Sequence, residues 1–213
     1  MNDYRKSIKL KFRVIARFYD LFDLVFLLGK DANPRIALAR RIPNEPVQIL
    51  DVCAGTGNSA LEVAMTNEHN RIIGVDLSPD MIAVAERKIR SKGITNLSIE
   101  NMDATRMSFN DGEFDVVMVS FGLHEMKLDL MTDVLAEMSR VLKPGGSLFV
   151  IDYERESGHI MNLCFSIFLK VFEPPHLSEF LDYDWRNILG DAGCEVTGVE
   201  KYRISKLITA VKR

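Results

Sequence analysis

Asp51-Val52-Cys53-Ala54-Gly55-Thr56-Gly57 is the stretch on which the fold turns. It completes an apolar run over residues 47–52 of the kind that forms a buried parallel strand. Gly55 and Gly57 let the backbone turn sharply and approach a ligand with no side chain in the way. Asp51 ends the strand, so its carboxylate points into the crevice where open α/β sheets bind their ligands. Asp76 lies roughly twenty residues beyond the glycines, a spacing that suits hydrogen bonds to the two hydroxyls of a ribose.

Outward from this loop, strands and helices alternate. The pattern predicts a helix over 58–66, a strand over 71–75 and a helix from Ser78 or Pro79 to Arg90, with proline well placed in its first turn. Short strands follow at 96–100 and 114–120, then a helix over 128–142 that stops at Pro144-Gly145-Gly146, then a strand over 147–152. Such alternation implies a doubly wound parallel sheet with right-handed crossovers. After two further helical stretches, residues 195–201 and 204–212 read as strands joined by a very short turn. A pair joined that tightly is antiparallel. The expectation is therefore an α/β, Rossmann-like, mostly parallel seven-stranded sheet finished by an antiparallel C-terminal hairpin.

Ahead of this domain, residues 4–28 carry Ile8, Phe12, Ile15, Phe18 and Phe22 at helical spacing, with basic residues between them. A short helix is expected from Pro34 to Arg41. The division is a helical lid over 1–45 and a main domain over 46–213 with a helical insertion at about 156–180. The net charge of -3 shows no basic excess that would require nucleic acid. Cys53, Cys164 and Cys194 are odd in number and widely spaced, which argues against a disulfide framework or a zinc site. With no secretory leader and no apolar stretch long enough to span a bilayer, the expected location is the cytoplasm.

The glycine loop alone fits two cofactors. Gly55-Thr56-Gly57-Asn58-Ser59-Ala60 satisfies the dinucleotide fingerprint, and Asp76 would serve NAD as well. An acid four residues ahead of Gly55, however, would share its site with a pyrophosphate of like charge. It sits better beside the ammonium and sulfonium of S-adenosylmethionine.

Four more stretches follow in order: Val75-Asp76-Leu77-Ser78-Pro79-Asp80-Met81, Asn101-Met102-Asp103-Ala104, Phe114-Asp115-Val116-Val117 and Arg140-Val141-Leu142-Lys143-Pro144-Gly145-Gly146. With the glycine loop they resemble the five motifs of class I methyltransferases that use S-adenosylmethionine. The resemblance implies that Asp51, Cys53, Ala54, Gly55 and Gly57 form the first cofactor wall. Asp76, Leu77 and Met81 would form the second, and Asp103 and Ala104 would meet the adenine. Several of these positions also have plainer readings: Met81 and Leu77 as core, Asp103 as a turn cap, Asp115 as a strand-start anchor, Cys53 as a small packing residue. Within the class, Phe18-Tyr19-Asp20, the loop Ser120-Phe121-Gly122-Leu123-His124-Glu125-Met126 and the strand end Val150-Ile151-Asp152-Tyr153 resemble the ubiquinone and menaquinone biosynthesis C-methyltransferases. That group has Arg-Asn after Phe-Gly-Leu, where this chain has His124-Glu125.

By that analogy Tyr19 closes over the cofactor and Ser120 and Phe121 flank it; His and carboxylate residues do not cluster at metal-ligand spacing, so no metal is assigned. His124 is the candidate general base, oriented by Glu125, since imidazole titrates near neutral pH. A loop histidine hydrogen-bonded for structure is the alternative. The segments 4–28 and 160–172 are rich in Phe, Leu and Ile, so the expected acceptor is a small apolar or aromatic molecule such as a quinol or phenol. The basic residues of the first helix also suit peripheral contact with a membrane surface. Two other functions fit parts of the sequence: a nicotinamide-dependent oxidoreductase, and a non-catalytic module that only binds S-adenosylmethionine.

Overall fold

The apolar runs become strands β1 (Gln48–Val52), β2 (Arg71–Asp76), β3 (Leu97–Asn101), β4 (Phe114–Ser120) and β5 (Leu142–Tyr153). They are followed by β6 (Cys194–Lys201) and β7 (Ser205–Lys212) in one seven-stranded sheet ordered β3-β2-β1-β4-β5-β7-β6. This computed structural model describes residues 33–155, 174–202 and 204–213. The sequence expectations for residues 4–28, Tyr19 and 160–172 lie outside the described residues.

β1 through β5 pair in parallel, and β7 runs antiparallel to both β5 and β6. The hairpin between β6 and β7 closes through the Tyr202 N–H, which donates to the Ser205 carbonyl at 2.7 Å. β1 lies between β2 and β4, and Ile49, Leu50 and Val52 are completely buried. Burial of that kind contributes roughly 1.5–3 kcal/mol per side chain.

Among the described residues the α-helices are α1 (Pro34–Ala39), α2 (Asn58–Ala64), α3 (Pro79–Ser91), α4 (Leu128–Val141), α5 (Leu177–Phe180) and α6 (Trp185–Asp191). α3 shows why these residues form a helix. Ser78 caps it by accepting from the Met81 N–H, Pro79 opens it, Asp80 lies in its first turn, and Lys88 and Arg90 lie in its last. Met81, Ile82, Ala85 and Ile89 form its buried face. Among the described residues no helix is long and apolar enough to cross a membrane.

One boundary differs from the pattern-based expectation. α4 ends at Val141, and β5 begins at once with Leu142 instead of waiting for Ser147. Leu142 pairs with Phe114, and the register then jumps so that Ser147 pairs with Val116. Lys143-Pro144-Gly145-Gly146 is thus a bulge at the mouth of a strand, not a gap before one. Gly146 makes this geometry possible, because a Cβ there would meet the Asp115 carbonyl at 2.9 Å. Asp115 itself holds the corner together: its carboxylate accepts from the Gln48 N–H and from Lys143 Nζ. The anchoring role expected for Asp115 is the one it has.

Candidate functional site

The strand order reverses between β1 and β4, and the carboxyl ends of β1, β2 and β4 open there into a cleft of about 1150 Å³. Clefts at such switch points are the usual ligand sites of open α/β sheets.

Asp51 lies on the floor of this cleft and is only 1% exposed. Neither of its carboxylate oxygens has a hydrogen-bond partner. Burial, more than any other influence, pushes its pKa up to about 7. The Arg35 charge pulls the other way, nearby Asp76 adds to the rise, and the Ala60 backbone N–H lowers it. A buried acceptor without a donor is costly. It fits a ligand that brings a cationic donor, such as an ammonium.

A pH dependence follows. An ammonium binds the ionised form, so affinity for S-adenosylmethionine should rise with pH and level off above about 7, with a slope of up to about tenfold per unit below it. Without ligand the sign for folding is opposite. The stability Asp51 contributes is complete below its ordinary value of 3.8 and is lost as the pH rises through about 7. Calorimetric titration between about pH 5.5 and 7.5 checks the first statement. A flat affinity would remove Asp51 as the ammonium partner.

Asp76 does two jobs. Its Oδ2 accepts from the Gly55 N–H and its Oδ1 from the Ser78 N–H, each at 2.8 Å. Those bonds tie the glycine loop to the end of β2, and each oxygen retains acceptor capacity for a ribose hydroxyl. Burial raises the Asp76 pKa, while the backbone donors oppose the rise.

The two glycines of the loop divide their roles. Gly55, at φ 55°, lines the cleft. Gly57, at φ 78°, precedes α2 and packs on α3, where a Cβ would come within 3.1 Å of the Ala85 Cβ; it is not among the lining residues. Cys53 and Phe121 both adopt left-handed φ, 56° and 52°, which non-glycine residues rarely do. Gly122 fits between them and the sheet because a Cβ there would lie 2.8 Å from the Cys53 Cβ. Burial pushes the Cys53 thiol far up, so Cys53 serves packing and cleft shape and not nucleophilic chemistry.

Ala54, Leu77, Met81, Met102, Asp103 and Ala104 also line the cleft. One Asp103 oxygen does cap a turn, accepting from the Thr105 N–H and hydroxyl. Ser120, Phe121, Met126 and, from α4, Leu130 and Val134 line the same cleft. The buried Ser120 hydroxyl has no hydrogen-bond partner.

His124 and Glu125 form a short 3-10 turn after β4. Glu125 lines the cleft; His124 lies behind it, 2% exposed. Its Nδ1 is 2.6 Å from Asp152 Oδ1, and its Nε2 is 3.8 Å from a Glu125 oxygen. Asp152 also accepts from the backbone N–H groups of Leu123, His124 and Tyr153. Asp152 therefore fixes the ring, with Nε2 turned toward Glu125. The expected pair is thus a row of three, with Glu125 at the cleft and Asp152 at the back.

Arg35 was not singled out by the sequence pattern, yet it lines the cleft at 7% exposure. Its Nε donates to the Ser59 hydroxyl at 3.0 Å, and its guanidinium carbon is 5.2 Å from the centre of the Phe121 ring.

Together Asp51 for a cation, Asp76 for a ribose and Asp103 with Ala104 for a purine fit S-adenosylmethionine. The profile of the ubiE/COQ5 methyltransferase family matches residues 1–186. A demethylmenaquinone methyltransferase from Bacteroides fragilis is 34% identical over 177 residues, 81% of this chain and 71% of that protein. One from Deinococcus radiodurans is 32% identical over 169 residues, 79% of this chain and 69% of the other. The fold is also that of a SAM-dependent methyltransferase from Aquifex aeolicus, with 20% identity, a TM-score of 0.70 and coverage of 94% of this chain and 98% of that one.

Proposed function

The chain belongs to the ubiE/COQ5 methyltransferase family, and from that premise we propose that it methylates a ring carbon of a quinol-like acceptor. It is a methyltransferase that uses S-adenosylmethionine. The supporting observation for the acceptor is that apolar Phe121, Met126, Leu130 and Val134 line the same cleft as the residues that suit the cofactor. Relatives named for demethylmenaquinone support the same class.

When bound, S-adenosylmethionine supplies an electrophilic methyl group. Asp51 holds its ammonium, Asp76 its ribose hydroxyls and Asp103 its adenine amino group, so the protein's main contribution is alignment, worth about 7–11 kcal/mol where geometry is good. Tyr19, outside the described residues, keeps its proposed place over the cofactor. Glu125 accepts the proton that a quinol hydroxyl gives up, which raises electron density on the ring carbon that attacks; once that carbon carries the methyl group, loss of its own C–H proton restores the aromatic ring. His124 Nε2, behind Glu125, shares that proton, and Asp152 stabilises the imidazolium. Gly57 supports the loop from behind.

The basic side chains among residues 5–17 would hold the enzyme at a membrane surface where an isoprenoid quinol is carried. The lid over 1–45 and the domain over 46–213 remain our division of labour between acceptor and cofactor. The oxidoreductase reading of the glycine loop and the non-catalytic alternative both lose their basis with the family membership.

The test is incubation with methyl-labelled S-adenosylmethionine and a reduced short-chain naphthoquinol. The expected product is the quinol bearing one labelled methyl on carbon. Label transfer to oxygen, or no transfer despite cofactor binding, would sink the acceptor assignment.

A further inference from the structure

We propose that Lys206 sets the pH range in which His124 acts as a base, by opposing with a buried ammonium the carboxylates that flank the ring; this rests on the reading of Glu125, His124 and Asp152 as an acid–base row. An imidazole between carboxylates has a defect as a base, because each neighbouring negative charge favours the imidazolium. His124 meets Asp152 at 2.6 Å on one side and Glu125 at 3.8 Å on the other. Charges in such a buried setting are poorly screened. With nothing to oppose them, the two carboxylates would keep the ring protonated at neutral pH, where it could take no proton from an acceptor.

The opposing charge comes from β7. Lys206 stands directly across from Asp152 in the pairing of β5 with β7, so their side chains share one face of the sheet. It is 4% exposed, and the Trp185 ring of α6 lies 5.6 Å from its ammonium. Glu154 is 3.7 Å from the same ammonium and 3.5 Å from that of exposed Lys201. A buried pair serving structure alone ordinarily closes to about 2.8 Å. At 3.7 Å Glu154 does not neutralise Lys206, whose field reaches Asp152 as well. Burial lowers the Lys206 pKa, Glu154 and Asp152 oppose that fall, and Lys201 adds to it. Around the ring itself, β5 also brings Tyr153 and α5 brings Phe180, with 4.7 and 6.2 Å between ring centroids. The Cys53 thiol, within electrostatic reach of Asp152, is driven far up by burial and carries no charge. Lys206 thus offsets Asp152 from behind, while Glu125 stays at the cleft. It touches neither ligand and acts through Asp152 alone.

The experiment compares wild type with Lys206→Met, Lys206→Gln and Lys206→Arg. First, kcat/KM for a reduced short-chain naphthoquinol is followed against pH, with S-adenosylmethionine saturating throughout so that Asp51 does not contribute. Loss of the ammonium stabilises the imidazolium, so the acid limb of the profile should move up by about one pH unit in both neutral variants. Below that limb their rate should fall by up to about tenfold, and above it the wild-type rate should return. Arginine keeps the charge and should restore most of the profile. Second, the ¹⁵N signals of the His124 ring, identified by their loss in His124→Gln, are titrated in the complex with S-adenosylhomocysteine and should shift by the same amount. Affinity for S-adenosylhomocysteine within about threefold of wild type shows that a variant is folded; if methionine fails this control, glutamine, which keeps a polar end beside Glu154, carries the test. A loss equal at every pH, an unchanged profile, or an arginine variant no better than glutamine would overturn the proposal. If the wild type does not methylate the quinol, the acceptor reading falls by itself, and the ring titration still decides whether Lys206 governs His124.

Discussion

Asp76→Ala should lower affinity for S-adenosylmethionine by about a hundredfold or more, with little change in the melting temperature. The size follows from what the carboxylate does. Two hydrogen bonds from ribose hydroxyls to a charged acceptor are worth about 1.5–3 kcal/mol each. The same side chain ties down the Gly55 and Ser78 N–H groups, so its removal also loosens the loop under the ligand. Asp76→Asn separates the two contributions. It keeps one acceptor oxygen but turns an amide N–H toward a backbone donor, so it should fall between wild type and alanine. Isothermal titration with S-adenosylhomocysteine is the direct measurement. A loss under tenfold for the alanine variant would mean that the ribose is held elsewhere.

The second large effect belongs to the back of the site. Asp152→Asn should cut kcat by about 10²–10⁴-fold, the span usual for loss of an acid–base group, while the cofactor dissociation constant stays within about threefold. Asparagine would offer an N–H where His124 Nδ1 now meets an acceptor, forcing the ring into the tautomer that places its hydrogen toward Glu125. Asp152 works through His124 and does not touch the acceptor, so the decisive readout is how the defect depends on the substrate. A quinol analogue with a more acidic hydroxyl needs less help from a base and should recover much of the lost rate. His124→Gln should show the same pattern. A uniform loss across acceptors of different acidity, or an equal loss in cofactor affinity, would reduce the row to a structural tether.

Much of this architecture was visible in the sequence because its strands are either nearly continuous apolar runs, as in β1 and β4, or are bracketed by turn residues. The antiparallel finish followed from the shortness of the turn before Ser205. What misled the pattern was Pro144-Gly145-Gly146. Such a triplet ordinarily ends an element, and only the close approach of Gly146 to the Asp115 carbonyl shows that pairing has already resumed. Within the site the legible residues were those carried by strand ends, above all Asp51 and Asp76. Arg35 was not legible, since nothing local sets it apart from Arg40 and Arg41; its contact with Ser59 is made across twenty-four residues. Asp152 could have been found from register alone. Ser120 pairs with Ile151, so the next residue of β5 stands at the same end of the sheet as the His124 turn. The burial of His124 had no such signal, because a three-residue turn is too short to show a period.

The position of β7 matters at a stage before any ligand arrives. β6 leaves the ribosome ahead of β7, yet β7 separates it from every other strand. While β6 is being made it therefore has no neighbour to join, and β5 stands as an open, strongly apolar edge. A nascent chain at that point holds a nearly finished nucleotide-type half-fold with an adhesive border, the situation in which strands recruit one another from different molecules. Synthesis of about a dozen more residues closes that border in one step. Slow codons between residues 194 and 212, or a shortage of chaperone at that moment, should therefore affect the yield of soluble enzyme more than the same delay placed among the first four strands.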